Sequence, residues 1–249
     1  HLQKWDLFFH SQAAPTAVRN RREYLHTVLS RRMDLGRDPN GLTVLNVASG
    51  PARDLFEFFT SFPEADVIFH CVEVDPHAIE YAKSLCFPFL DRIVFHNFNA
   101  FTFRSDRRFG LIWSAGLFDY LSDALGARLA RRLHRMLSPD GELVIGNFGP
   151  ANSSRGYMEL IGDWFLEHRE PGRLRRIGLQ AGAEEDEISI SQEPSGVNLF
   201  LHMAARGRKP RLMEPPVPKP SEHAGRLRSH LTEPEAVRPF LMAEGTTRQ

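Results

Sequence analysis

Cysteine is scarce: Cys71 and Cys86 are the only two in 249 residues. Two thiols cannot build the disulfide framework of a small secreted domain, and Cys71 lies in an apolar, strand-like run where a buried free thiol belongs, so a reducing cytoplasm is expected. There is no apolar run near the roughly 18 to 20 residues that a membrane-spanning helix needs, and no N-terminal charged-then-apolar leader pattern. Neither a membrane span nor a secretory signal is expected. Net charge is missing too: 31 basic residues balance 31 acidic ones, so no overall positive field recruits nucleic acid or an anionic membrane. No internal repeat of about 20 to 50 residues recurs, which excludes solenoids and propellers. The chain opens at His1 and not at Met, as expected of a processed product. What remains is ordinary globular material, 42% apolar and 25% charged, enough for one domain with a sizeable core.

The charge is unevenly placed. Residues 205–249 hold nine Lys/Arg against five Asp/Glu and seven of the 17 prolines. Among them is Pro215-Pro216-Val217-Pro218-Lys219-Pro220, which can neither hold a helix nor sit in a central strand. A linker or surface-wrapping tail is expected there, which leaves a mildly acidic body. Residues 42–204 alternate short β-branched runs with helical patterns, the mark of strand–helix–strand units in a parallel sheet. Strands are expected at 42–47, 67–74, 93–95, 111–113 and 143–147. An antiparallel hairpin, 187–191 with 198–204, is expected to turn at Pro194-Ser195-Gly196. After the fourth strand, Ser122 is a candidate N-cap for a helix whose Leu125, Leu129, Leu133 and Leu137 form one stripe before a Pro139-Asp140-Gly141 turn. Its Arg128, Arg131, Arg132 and Arg135 read as a solvated face in preference to a nucleic-acid stripe. Helices are also expected near 156–168 and 172–179, and at 13–32, where Val18, Leu25, Val28 and Leu29 are candidate buried positions.

The most informative segment is Val44-Leu45-Asn46-Val47-Ala48-Ser49-Gly50-Pro51-Ala52-Arg53-Asp54. A buried strand ends in small residues that open a helix, so the backbone can approach a ligand and helix N–H groups face negative charge. Any tight strand-to-helix turn also wants small residues. The second strand ends in Cys71-Val72-Glu73-Val74-Asp75-Pro76, which places Glu73 23 residues beyond Gly50. A carboxylate there can accept both hydroxyls of a ribose, whereas Asp75 reads as the cap of a helix starting at Pro76.

These segments resemble the class I S-adenosylmethionine-dependent methyltransferases, whose first motif runs acidic, apolar, Gly, x, Gly, x, Gly. Here Asn46 stands for the acid, Ala48 and Ala52 replace the outer glycines, and Gly50 is kept. Alanine permits close approach but argues against a left-handed backbone at 48 and 52. The resemblance implies an α/β fold, a Rossmann-like seven-stranded methyltransferase sheet with helices on both faces. Residues 1–41 would be an N-terminal helical cover, 42–204 the donor-binding domain and 205–249 the Pro-rich tail. It implies that S-adenosyl-L-methionine is held by Ala48, Gly50, Glu73, Val74, Asn99, Ala100, Ser114 and Ala115. Asn99 would bond the adenine amine and Ala100 its ring nitrogen, although a loop amide satisfying its own turn explains Asn99 equally well. Ser114-Ala115-Gly116-Leu117-Phe118-Asp119-Tyr120-Leu121, Tyr157-Met158-Glu159, Asp163-Trp164 and Ala17-Val18-Arg19-Asn20-Arg21-Arg22 narrow the resemblance. They are similar to a bacterial subgroup named for the synthesis of 3-hydroxypalmitic acid methyl ester, an extracellular factor.

Methyl transfer from a sulfonium is an in-line displacement that asks mainly for orientation and desolvation, without a metal. A carboxylate acceptor is already ionised and needs a cation to position it. Arg19 is the first candidate clamp and Arg53 the second, although a helix arginine is more often a surface residue. A hydroxyl or amine acceptor needs a base, for which Asp119 and Glu159 are candidates, with Tyr120 and Tyr157 to orient it. A donor-aromatic contact from Phe118 or Tyr120 is conceivable, with Phe118 better read as core. None of the 11 histidines shows metal spacing, and His168 is expected to end a helix. The expected function is methylation of a small acidic or lipid-like molecule, with no nucleic-acid partner. The competing readings are a donor-binding sensor that transfers nothing and a nicotinamide dehydrogenase, the latter disfavoured by the absence of Gly-x-Gly-x-x-Gly.

Overall fold

The computed structural model describes residues 2–34 and 41–210; the expected proline-rich run at 215–220 lies outside the described residues. Strands β1 (Leu42–Val47), β2 (Val67–Glu73), β3 (Ile93–Asn97), β4 (Phe109–Ser114), β5 (Leu137–Phe148), β6 (Ile188–Gln192) and β7 (Asn198–Ala204) form one sheet. Their order is β3-β2-β1-β4-β5-β7-β6. All neighbours pair in parallel except β7, which runs antiparallel to β5 and β6. The expected seven-stranded Rossmann-like sheet is therefore present. The order reverses between β1 and β4, and a crevice opens at the carboxyl ends of strands at such a switch point.

Side chains alternate between two layers because a strand points successive residues to opposite faces. Val44, Phe69, Leu111 and Val144 pack on the face covered by α2 (Ala13–Asp34), α3 (Arg53–Ser61) and α4 (Pro76–Leu85). Leu45, Ile112, Leu143 and Leu201 pack on the other, under α5 (Asp123–His134) and α7 (Pro171–Ala181). No helix among the described residues is long and apolar enough to cross a membrane.

The cover helix α2 is preceded by α1 (Leu2–His10) and buries Leu25, Val28 and Leu29 as expected, together with Tyr24. Tyr24 stacks on Phe200 with ring centroids 3.8 Å apart. Its hydroxyl lies 2.9 Å from His202 Nε2 and also bonds Ser191. His202 Nδ1 is 2.7 Å from Glu142 Oε1, and the other carboxylate oxygen of Glu142 pairs with Arg31. Burial pushes Glu142 up, but the His202 bond and the nearby charges of His202 and Arg31 outweigh it and hold the carboxyl at about 2. A closed polar chain thus fastens α2 to β5, β6 and β7.

Three local expectations change. Ser122 caps α5 as expected, but Leu125 is 43% exposed and Leu137 opens β5. The Pro139–Gly141 turn survives as an irregularity within β5, where pairing jumps from Phe109↔Leu137 to Leu111↔Glu142. A Cβ on Gly141 would sit 2.7 Å from the Phe109 carbonyl, so only glycine fits. The helix expected at 156–168 is the single short α6 (Arg155–Leu160). Beyond its end, Asp163 takes a left-handed φ of 45°, where the chain turns and 164–170 run back along the end of β5. His168 therefore ends no helix; its Nε2 meets Asn152 Nδ2 at 3.0 Å. On α5, Arg131 and Arg132 bend back onto the carbonyls of Gln180 and Phe103, so half of the expected solvated stripe is tied to the protein.

Candidate active site

The turn after β1 brings the first two expected motifs into one hydrogen-bonded unit. The Gly50 N–H donates to Glu73 Oε2 at 2.8 Å, and Glu73 Oε1 accepts from the N–H groups of Val74 and Asp75 at 2.8 and 3.0 Å. An ionised carboxylate offers about four acceptor positions, so Glu73 keeps acceptor capacity for a ligand hydroxyl. Asp75 caps α4 by accepting from the His77 N–H at 2.9 Å, as expected.

The backbone of this turn departs from expectation. Ala48, Gly50 and Ala52 all have left-handed φ, at 55°, 54° and 53°. The alanines do not prevent the conformation; the connection from β1 into α3 imposes it, at a local cost of about 1–2 kcal/mol per non-glycine residue. A Cβ built on Gly50 would meet nothing within 4 Å, so the glycine faces open space at the sheet edge. Just inside the turn, Asn46 Nδ2 is buried without a hydrogen-bond partner among the described residues.

At the end of β3, Asn99 Oδ1 accepts from the Phe101 N–H at 2.8 Å, so the turn-satisfying reading describes its side chain. Asn97, which the sequence reading passed over, ties this loop to the second strand by donating to the Glu73 and Val74 carbonyls at 3.0 and 2.9 Å. Val74 and Phe98 project apolar side chains at the same edge, 59% and 55% exposed. Ala100 packs against the core below.

The end of β4 forms the other wall. Ser114 is buried and donates to the Val47 carbonyl at 3.2 Å, which fixes the β1 and β4 ends together. Ala115 packs against the tip of β5, where a Cβ on Gly146 would lie 3.1 Å from the Ala115 Cα. Phe118 is fully buried core, as expected. Asp119 is buried as well, accepting from the Phe148 N–H at 2.7 Å, with Arg21 Nη1 3.8 Å away. Burial pushes its carboxyl up to about 6, against the pull of Arg21 and the Phe148 N–H. Tyr120 stays exposed and accepts from Trp164 Nε1 at 2.7 Å. Arg169 locks this loop: fully buried, it bonds Asp123 Oδ1 at 2.9 Å, the Phe118 carbonyl at 2.8 Å, Asn147 Oδ1 at 2.5 Å and the Leu121 carbonyl.

The remaining candidates sit elsewhere. Arg19 is exposed and donates to the His10 carbonyl at 2.8 Å and Thr16 Oγ1 at 3.0 Å, joining α1 to α2. Arg53 pairs with Glu57 at 3.2 Å. Glu159 pairs with Arg155 at 2.6 Å within α6. Tyr157 lies against Phe9, with ring centroids 5.7 Å apart. Arg21, not Arg19, is the arginine that α2 carries to Asp119. No cluster of three or more His, Cys, Asp or Glu suited to a metal occurs among the described residues.

No family model matches the chain, and no curated protein matches it. Solved structures do. A possible exported protein from Bordetella parapertussis superposes with a TM-score of 0.66 at 19% identity, over 80% of this chain and 71% of that one. The magnesium protoporphyrin IX methyltransferase of Synechocystis, with bound S-adenosylhomocysteine, gives 0.59 at 10% identity, over 78% and 87%. The S-adenosylmethionine-dependent methyltransferase SibL gives 0.55 at 15% identity, and this chain spans 54% of its length. These likenesses establish that the chain has the class I methyltransferase fold.

Proposed function

We propose that this chain is an S-adenosylmethionine-dependent methyltransferase that modifies a small molecule, at an oxygen of a carboxylic or hydroxy acid with a lipid-like body. The observation that carries the reading is the Gly50 N–H to Glu73 bond of 2.8 Å. It joins a left-handed turn open to solvent with a carboxylate at the switch point, the arrangement suited to a nucleoside. The donor set fits such a ligand: acceptor capacity at Glu73 for a ribose hydroxyl, the exposed Val74 and Phe98 side chains for a flat base, and small residues 114–116 toward the reactive end. The aminoacyl end of the donor would extend toward Asp54 and Arg21. The sulfonium, when bound, supplies an electrophilic methyl group.

The chain's own part is to orient and to shield. The buried Asp119, held by the Phe148 N–H, is a proton acceptor for a hydroxyl, and its carboxyl, pushed up to about 6, matches general-base work near neutrality. For an ionised acid no base is needed, and the same pocket then contributes alignment only. Tyr120, beside Asp119 and anchored by Trp164, orients the acceptor. We place Glu159, Arg19 and Tyr157 at the outer rim, where α6 meets α1. Phe8 on α1, Leu160 at the end of α6, and Ile161 and Phe165 after it are exposed apolar side chains, and an acceptor with a long apolar part, in line with the subgroup resemblance, would cover such surface. Cys71 and Cys86 are buried free thiols, which fits a reducing cytoplasm.

Calorimetry with S-adenosylhomocysteine tests the reading. Wild-type protein should bind it, and Glu73→Ala, checked by thermal melt to be folded, should bind about 10- to 100-fold more weakly, the cost of losing hydrogen bonds to a charged acceptor. Equal affinity for the two proteins removes Glu73 from the site. Binding without methyl transfer to any of a panel of acids and hydroxy acids would favour a sensor over an enzyme.

A further inference from the structure

One largely covered cation is barely used by the fold. Arg21 lies on α2 with its side chain 19% exposed, and its one ion pair among the described residues, to Asp119 Oδ2, is 3.8 Å long. That is beyond hydrogen-bonding distance, and none of its five N–H donors makes a hydrogen bond among the described residues. The arginines around it behave differently. Arg22 pairs with Glu57 at 2.6 Å, and Arg169 satisfies four acceptors. No Arg21 nitrogen is fully sealed from solvent, so its unused donors stay open to a ligand. Burial lowers the pKa of Arg21, against the charges of Asp119 and Asp54.

Its two carboxylate neighbours are not its counter-ions in any tight sense. Asp54 Oδ1 accepts from the Leu55 N–H at 3.0 Å, and Asp119 Oδ1 from the Phe148 N–H at 2.7 Å. Burial dominates at both and pushes each up to about 6, whereas a closely paired acid such as Glu142 is held at about 2. The guanidinium also reaches the small-residue end of β4: a Cβ on Gly116 would sit 3.8 Å from Arg21 Nη2.

We propose that Arg21 is a carboxylate receptor, carried by the cover helix to the end of β4, where its planar fork grips the carboxylate of a bound small molecule. Asp54 and Asp119, on either side, accept from an ammonium or hydroxyl of the same molecule. Guanidinium presents parallel N–H donors that match a carboxylate in two-point fashion, which an ammonium cannot. Two molecules offer that carboxylate, the donor through its amino-acid end and an acid acceptor. The inference rests on the methyltransferase reading for its place in the crevice.

Calorimetry on the full chain distinguishes the sources. The probes are S-adenosylhomocysteine, 5′-methylthioadenosine, which keeps the nucleoside and lacks the amino-acid end, and 3-hydroxydecanoate, tested alone and with S-adenosylhomocysteine present. If the donor supplies the carboxylate, Arg21→Ala weakens S-adenosylhomocysteine about 10- to 100-fold, leaves 5′-methylthioadenosine unchanged, and Arg21→Lys recovers only part of the loss. If the acceptor supplies it, nucleoside binding holds and 3-hydroxydecanoate weakens by a similar factor. A thermal melt, with Arg21→Met as a second variant, guards against misfolding. Wild-type protein that binds neither nucleoside overturns the methyltransferase reading by itself, and the clamp then stands or falls on the acid alone. Arg21 variants that match wild type in every arm overturn the clamp.

Discussion

Helix α2 covers two buried charged clusters that are put together in opposite ways. Near its C-terminal half, Arg31, Glu142, His202, Tyr24 and Ser191 form a chain of short bonds. Near its middle, Arg21 lies 3.8 Å from Asp119, too far to bond, with the charge of Asp54 also acting on it. The first cluster is scaffold: its groups are neutralised by one another, and its acid is held far below the ordinary carboxylate range. The second is left electrostatically incomplete at the crevice, and its acids are held above that range. Each cluster holds a nearly buried carboxylate, Glu142 in one and Asp119 in the other, so burial alone does not tell them apart. The presence or absence of close protein partners does.

Breaking the closed cluster should give the largest effect. Glu142→Ala removes the carboxylate that Arg31 and the buried His202 share and should destabilise the chain by about 3–5 kcal/mol in urea unfolding. Arg21→Ala, which removes a cation that lacks a close partner, should cost under about 1 kcal/mol in the same assay without ligand. Similar losses for the two variants would erase the distinction between scaffold and site.

The pH dependence of stability sharpens the comparison, because the two clusters have opposite signs. Asp119 binds its proton more tightly folded than unfolded, so its contribution is full below about pH 4 and is lost as pH rises through about 6. A shift from 3.8 to about 6 corresponds to on the order of 3 kcal/mol. Glu142 works the other way: its contribution is present above about pH 4.5 and is lost as pH falls toward about 2. Urea midpoints should therefore decline between pH 4 and pH 7, and Asp119→Asn should remove part of that decline. A decline unchanged in Asp119→Asn would assign it to other groups.

The sheet and the meeting of Gly50 with Glu73 were legible because local rules generate them. Strand alternation marks Val44 and Leu45 for opposite faces, and the 23-residue step from Gly50 to Glu73 is one helix and one strand long. The reactive end was less legible. Arg19 and Arg21 are two residues and about 200° apart on one helix, and which of them reaches Asp119 depends on how α2 lies across the sheet. Arg169 follows directly on the helix expected at 156–168; its reach to Asn147 depends on the reversal at Asp163, where the residue type gives only a weak hint. Glu142 and His202 are isolated polar residues in apolar strands, and their pairing comes from β5–β7 register, which no short window contains.

The turn after β1 shows the site and scaffold difference at its smallest scale. Ala48 and Ala52 share a left-handed φ, but Ala48 is exposed while Ala52 is buried in the core beneath α3. Ala48→Gly relieves about 1–2 kcal/mol of backbone strain and returns about 0.4–1 kcal/mol through the freer unfolded chain, a net gain of about 0.5–1 kcal/mol in thermal or urea unfolding. Ala52→Gly relieves the same strain but also gives up a buried methyl worth about 0.8 kcal/mol, so its gain should vanish. Equal gains at both positions would mean that packing at Ala52 contributes nothing. A loss at Ala48 would mean that its methyl, and not its backbone, is what this edge of the crevice requires.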